Sequence, residues 1–235
     1  MTVFLGILLF FYAITLLTLM WGFFRLYQKL LVKKSPLSPA SHPSVSIVVS
    51  ARNEARNLPR LLSCLFHQDY PEERLEILVV DDRSEDETWN ILVRAEQEHR
   101  FFKALRITDF LPDFAPKKRA LDLAIRSARG EIILLTDADC TPPPTWTRTM
   151  VSYYRDDINV VLGYSPYRFD APMPRLISAM LALDYFSLAA IAASSVGLGR
   201  PLTATGTNIS YRRSTFLEAD GFENIKRWVS GDDDL

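Results

Sequence analysis

Apolar residues come along this chain in short runs, and the runs empty into charged or hydroxyl groups. Val45-Ser46-Ile47-Val48-Val49-Ser50 leads into Ala51-Arg52-Asn53-Glu54. Leu75 to Val80 leads into Asp81-Asp82, and Ile132-Ile133-Leu134-Leu135 into Thr136-Asp137-Ala138-Asp139. Such short, β-branched runs predict buried strands. Between them the pattern lengthens to a helical period. Helices are expected from Leu58 to Gln68, with Asn57 as N-cap and Pro59 in the first turn, and from Asp86 to Glu98, with Ser84 and Glu87 at capping-box spacing. Two more are expected from Lys117 to Ala128, with Ala120, Leu121, Ala124 and Ala128 on one face, and from Thr145 to Tyr154. Ala104 to Ile107 and Val160 to Tyr164 read as further strands. Strands alternating with helices predict βαβ units, hence an α/β fold with a mostly parallel sheet and flanking helices.

The N-terminus breaks this pattern. Thr2 to Phe24 carries no charge and is dominated by Leu, Phe, Ile and Val, long enough to cross a hydrocarbon core of about 30 Å as a helix. It lacks the positive n-region, short h-region and small-residue cleavage site of a signal peptide, so a retained transmembrane helix is expected. Arg25, Lys29, Lys33 and Lys34 follow, which puts the rest of the chain in the cytosol. The expected organisation is a transmembrane anchor over 1–27, a basic, Pro-rich linker over 28–43, and a catalytic domain over 44–235. A second apolar stretch, Leu176 to Leu198, contains Asp184 near its middle. A central Asp costs about 2.5–3.5 kcal/mol on insertion scales, so this stretch is expected to be buried or interfacial, leaving a single membrane pass.

Composition adds exclusions. The net charge is −1, with no basic surface to suggest a nucleic-acid partner. Cys64 and Cys140 are the only cysteines, too few for a disulfide framework; Cys64 sits in an apolar pattern and is expected in the core.

The chemistry collects at strand ends. In a parallel α/β sheet ligands bind outside the carboxyl ends of the strands, where the Asn53-Glu54, Asp81-Asp82 and Asp137-Ala138-Asp139 segments all lie. Two carboxylates one residue apart make a hard oxygen site, suited to a divalent cation that keeps waters and shares a diphosphate. Asp81 can accept from a nucleobase N–H, and Lys117 is placed to meet phosphate charge. Downstream, Gly206 permits close backbone approach and Asn208 offers both donor and acceptor. Asp232, Asp233 and Asp234 are adjacent and raise one another's pKa, which favours a general base.

These segments, in this order, resemble a membrane-anchored, inverting family 2 glycosyltransferase of the GT-A fold, over about Ser44 to Leu235. The resemblance rests on Ser50-Ala51-Arg52-Asn53-Glu54, Asp81 to Thr88, Lys117 to Leu121, Thr136 to Asp139, and Gly206-Thr207-Asn208 with Gly231-Asp232-Asp233. It implies transfer of a sugar from a nucleotide-diphosphate donor, a UDP-sugar by preference, to a lipid-linked or glycan acceptor. Ala51, Asn53, Glu54 and Lys117 would line the nucleotide site, Asp82 would contact the base with Asp81 in support, and Asp137 would face the ribose and diphosphate. Asp139, with Asp137, would bind Mg²⁺ or Mn²⁺. Asp233, or Asp232 if the register shifts by one, would be the base, with Gly206 and Asn208 on the acceptor side. Arg83 and Pro116 stand where many relatives have Gly. Processive members carry a Gln-x-x-Arg-Trp motif after the acidic pair; the sequence ends before one, so it is expected to be part of a longer protein. A nucleotidyltransferase would show a Gly-rich loop after the first strand, which this sequence lacks. A non-catalytic nucleotide-sugar-binding subunit is the remaining alternative.

Overall fold

The computed structural model describes residues 2–32, 42–168 and 173–228. Asp232 and Asp233, and most of the expected linker, lie outside them. The chain divides into two compact units: one holds the N-terminal helix and Tyr164–Ala204, the other the sheet with its surrounding helices.

The sheet unit is built on six strands: β1 (Val45–Ala51), β2 (Leu75–Asp82), β3 (Phe102–Ile107), β4 (Ile132–Leu135), β5 (Val160–Leu162) and β6 (Ile209–Arg212). Their order is β3-β2-β1-β4-β6-β5. The first four are parallel, with Ala51 opposite Asp81 and Asp82 opposite Ile107. β6 pairs antiparallel with both β4 and β5, which the sequence pattern did not reveal. Every residue of β2 and β4 is buried, the mark of strands covered on both faces.

Side chains alternate between two cores. Ile47, Val49, Ile77, Val79 and Leu134 pack with Leu58, Leu61 and Leu65 of α2 (Leu58–Phe66), with Leu92 of α3 (Thr88–Glu98) and with Trp146 and Met150 of α5 (Trp146–Val151). On α4 (Pro116–Ser127) the buried stripe is Ala120, Leu121, Ala124 and Ile125, and α4 packs on β1 and β2. Pro116 occupies the first turn of α4, where its fixed φ is an asset and its missing N–H is no loss.

The predicted caps are replaced by other bonds. Asn57 does not cap α2; its side chain donates to Glu54 Oε2 at 2.7 Å. Ser84 and Glu87 form no capping box: α3 starts at Thr88, whose N–H is taken by Asp86 Oδ1 at 3.0 Å. The Ser84 hydroxyl is taken by the neighbouring loop, described below, and Glu87 accepts from the Asn90 side chain of its own helix. Cys64 is half-buried at the edge of the core.

The helical unit contains α1 (Thr2–Val32) and α6 (Arg175–Gly197). Both are long and apolar enough to cross a membrane by length and composition, with mean hydropathy 2.5 and 1.8. Of the two expectations for the second stretch, buried or interfacial, burial is not met; almost all of its large side chains are exposed. Its C-terminal end packs on α1 through glycine: a Cβ on Gly197 would lie 1.8 Å from the Gly22 carbonyl oxygen, so any larger residue there would push the helices apart. α7 (Arg213–Glu218) closes the sheet unit, with Phe216 stacked on Tyr211.

Candidate functional site

The strand order creates a switch point. From β1 the chain moves outward to β2 and β3, then returns through α4 to place β4 on the other side of β1. A crevice forms where such an order reverses, and the ends of β2, β1 and β4 line it in a row. Neighbouring strands are about 4.8 Å apart, so β2 and β4 stand about 10 Å from each other. That is the reach of a ligand with a ring at one end and charged groups at the other.

At the β2 end, Asp81 is fully buried and Asp82 nearly so. Asp81 Oδ1 accepts the Ser84 N–H at 3.2 Å. Asp81 Oδ2 lies 3.1 Å from Arg106 Nε, yet their geometry is not that of a hydrogen bond and the oxygen has no hydrogen-bond partner. The proximity is an ion pair; the oxygen keeps an unused acceptor position. Arg106 is itself held over the Trp89 ring at 4.9 Å.

Asp82 is occupied differently. Arg83 grips it with Nε at 2.8 Å and Nη2 at 3.1 Å, and that bond raises the Arg83 pKa. Arg83 has φ +57°, a left-handed conformation that costs a side-chain residue about 1–2 kcal/mol and glycine nothing. The bidentate pair, together with the Phe110 ring 5.1 Å beneath the guanidinium, holds it there. This departure from Gly therefore keeps the backbone shape and adds a cation that neutralises Asp82. Next to it, Arg119 clamps both carboxylate oxygens of Asp109 at 3.0 and 2.9 Å, which holds the Asp109 carboxyl below its usual range.

The β1 end is zipped to the β2 end. Asn53 also has positive φ, +56°, which Asn tolerates better than most residues. Its N–H donates to Ser84 Oγ at 2.8 Å, and its Oδ1 accepts the Glu85 N–H at 2.8 Å. The Glu54 N–H donates to Thr88 Oγ1 and the Ala55 N–H to Asp86. Slight burial raises the Asp86 carboxyl, but bonds from Thr88 and Ala55 outweigh it, and the net shift is downward. The two loops thus form one rigid rim, with Ala51 buried beneath it. Asn53 and Glu54 shape this rim through their backbones and their bonds to it.

At the β4 end, Ala138 is buried at 4% exposure, between a half-buried Asp137 and an exposed Asp139. Asp137 Oδ1 lies 3.1 Å from Lys117 Nζ, so α4 does bring its first lysine to this end. Asp139 is exposed; its Oδ1 receives a long contact from Cys140 Sγ, 3.9 Å, and among the described residues no Lys or Arg pairs with its carboxylate. Burial raises the Cys140 thiol pKa. Asp137 and Asp139 fit a divalent ion that takes the rest of its shell elsewhere. Among the described residues no third His, Cys, Asp or Glu gathers with them, so diphosphate oxygens and water would supply the other ligands.

Asn208 continues this row on its far side: β6 begins at Ile209, opposite Leu135 at the end of β4, so the Gly206–Asn208 turn stands beside the β4 end. Asn208 is 8% exposed, and its Oδ1 accepts the Trp146 indole N–H at 2.9 Å. Its carbonyl accepts the Gly163 N–H at 2.8 Å, and a Cβ on Gly163 would come 2.2 Å from Asn208 Nδ2. The Gly206–Asn208 turn is thereby locked to α5 and to the end of β5. The sequence reading missed Arg106, Phe110, Trp146 and the Asp109–Arg119 pair, because nothing in their spacing announces partners so far along the chain.

The profile for "Glycosyl transferase family 2" matches residues 46–217. The chain belongs to glycosyltransferase family 2. It is 26% identical over 183 residues to the probable glycosyltransferase YdaM of Bacillus subtilis, covering 77% of this chain and 43% of that one. It is 31% identical over 117 residues to a beta-monoglucosyldiacylglycerol synthase of Synechocystis sp., covering 50% of this chain and 24% of that one. The chain thus spans less than half the length of these curated relatives. Among solved structures, the mannosyltransferase PcManGT of Pyrobaculum calidifontis, in complex with GDP-Man and Mn²⁺, superposes with a TM-score of 0.63. That likeness has 23% identity and covers 94% of this chain and 59% of that one. Residues 1–349 of S. aureus TarS with UDP-GlcNAc give a TM-score of 0.52 at 21% identity, over 75% and 47% of the two chains. The structural likenesses establish the GT-A architecture for this family member.

Proposed function

We propose that the protein transfers a sugar from a nucleoside-diphosphate donor, with inversion, to a hydroxyl of a lipid-linked or glycan acceptor. The observation that carries this reading is the row of strand ends: a buried unused carboxylate oxygen on Asp81, and the Lys117–Asp137 pair beside the exposed Asp139 about two strand spacings away.

Among the described residues each role is consistent with the surroundings, and the general base is carried over from the sequence resemblance alone. Asp81 Oδ2 accepts an N–H from the base; a UDP-sugar is the favoured donor. This exchanges the roles that the resemblance implies, base contact by Asp82 with Asp81 in support, because Asp82 is already gripped by Arg83 and Asp81 keeps the unused oxygen. The Asn53–Ser84–Glu85 bonds hold the rim in shape before the ligand arrives, so little ordering entropy remains to be lost on binding. Lys117 balances charge at the diphosphate. Asp137 and Asp139 would hold Mg²⁺ or Mn²⁺, which, when bound, supplies Lewis-acid stabilisation of the departing diphosphate. Asp233, or Asp232, takes the proton as the acceptor oxygen bonds to the anomeric carbon. The bond from that carbon to the diphosphate oxygen breaks with its electron pair. In this reading the first apolar helix crosses the membrane; the support for a cytosolic sheet unit is that Arg25 and Lys29 follow its uncharged stretch.

The test is titration of the solubilised chain with UDP and with GDP, each with and without Mn²⁺, followed by assay of nucleoside-diphosphate release from UDP-Glc, UDP-GlcNAc and GDP-Man with lipid and glycan acceptors. Mn²⁺-dependent binding of UDP supports the assignment. Failure of the folded protein to bind either nucleotide would overturn it.

A further inference from the structure

α6 satisfies the usual length and hydropathy tests for a transmembrane helix, but the sheet does not allow it to cross. β5 precedes α6 in the chain, β6 follows it, and the two are paired directly, Val160 opposite Tyr211. The pairing continues to the Gly163 N–H on the Asn208 carbonyl. Both ends of the excursion therefore return to one rigid body, which lies on one side of any bilayer.

Chain length makes the constraint quantitative. A helix of 23 residues is about 34 Å long, enough to traverse about 30 Å of hydrocarbon. A crossing helix would need one of its links to come back over the same distance. After Gly197 only residues 198–205 precede the turn locked at Gly206–Asn208. Fully extended, those eight residues reach about 26–29 Å, short of the need. The link before α6, residues 164–174, reaches about 36–40 Å at full extension. Its peptide groups would then face hydrocarbon without hydrogen-bond partners, which bilayers do not tolerate. Arg168 also lies in that link.

What remains is a helix apolar on all sides. Leu176, Met180, Leu183, Phe186 and Leu188 are each half or more exposed. Such a helix belongs in an apolar medium. Its ends are basic, Arg175 opening it and Arg200 following it, as suits two ends at the same headgroup layer. Its C-terminal end touches α1 around Gly22 and Leu26, beside Arg25 and Lys29, the basic end of the apolar N-terminal helix. Asp184 is exposed at mid-helix, and its cost is highest at the bilayer centre.

We propose that α6 is a one-sided membrane element, immersed in a single leaflet and entering and leaving on the face where the sheet unit lies. A helix about 10–12 Å across fits within a leaflet of about 15 Å. Its occupant is the bilayer, and its tethers are the last residue of the β5 end and the Gly206–Asn208 turn. The inference depends on strand pairing and chain length, not on the glycosyltransferase assignment.

Accessibility tests it in the full chain, with Cys64 and Cys140 replaced by Ser. Single cysteines are placed at Met173 and Leu202, which flank α6, and at Leu183 within it. A membrane-impermeant maleimide is applied to intact cells and then to lysed cells. The expected result is that Met173→Cys and Leu202→Cys behave alike, both silent or both labelled before lysis. Leu183→Cys should label only after detergent is added. Labelling of the two flanks from opposite faces would overturn the proposal. So would labelling of Leu183→Cys without detergent, or its capture as a disulfide-linked dimer that persists in detergent, which would make a second copy of the chain the occupant.

Discussion

Asp81→Asn probes the site at its most specific atom. The change is isosteric at a fully buried position and puts an amide where an unused acceptor stands. The Ser84 N–H can still be accepted by the amide oxygen, so the rim keeps its bond. The amide nitrogen then faces the incoming base N–H, donor against donor. A hydrogen bond to a charged acceptor contributes about 1.5–3 kcal/mol, and about 1.4 kcal/mol is tenfold in affinity, so UDP binding should weaken by about 10- to 150-fold. The Arg106 pair is also lost, but Arg106 is 40% exposed and keeps its Trp89 contact. Solvent screening holds that loss to about 1 kcal/mol or less, and a loss of that size moves Tm by about 2–4 °C in a chain of this length. Calorimetric titration with UDP and with pyrophosphate, both in Mn²⁺, separates the base from the phosphates. The expected outcome is a weakened UDP and an unchanged pyrophosphate. Unchanged UDP affinity would refute the reasoning, as would a parallel fall in pyrophosphate, which would mean that the site had collapsed.

Asp139→Ala should abolish the enhancement of UDP binding by Mn²⁺ while leaving the melting temperature unchanged, because the carboxylate is exposed; differential scanning fluorimetry beside the titration reads both. Asn208→Ala should lower stability by about 1–3 kcal/mol, since the buried Trp146 N–H loses its acceptor, and chemical denaturation would show it with UDP affinity intact. Burial pushes the Tyr70 phenol up to about 12, and its hydroxyl donates to the Pro43 carbonyl at 2.7 Å. For an acid raised in the folded state, that contribution is complete below the ordinary tyrosine value of about 10 and is lost as pH rises to about 12. Denaturation midpoints across that window should fall more steeply for the wild type than for Tyr70→Phe.

The sequence alone determined the first five strands, the helices between them and the acids at their ends, while β6 and α7 went unread. Buried parallel strands must be apolar along their whole length, so Ile47 to Val49, Ile77 to Val80 and Ile132 to Leu135 stand out from any window. Polar groups collect where buried strands stop, so Asp81, Asp82, Asp137 and Asp139 could be read directly as strand-end acids. Lys117 could be read as well, because the start of α4 follows from its apolar stripe. Local pattern carries none of the long-range pairings. That Arg106 approaches Asp81, that Arg83 neutralises Asp82, and that Asn208 serves the Trp146 indole depend on which strands lie side by side, and strand order is a property of the whole chain. The Ser84–Glu87 box failed in part for the same reason: the packing of β1 beside β2 brought the Asn53 N–H to the Ser84 hydroxyl, while Asn57 was drawn off locally by Glu54. The second apolar helix shows the division most plainly. Composition gave α6 the length and hydropathy of a membrane span, while the antiparallel pairing of β5 with β6 fixes both of its ends to one body, and a covalent chain cannot cross a bilayer once and finish where it began.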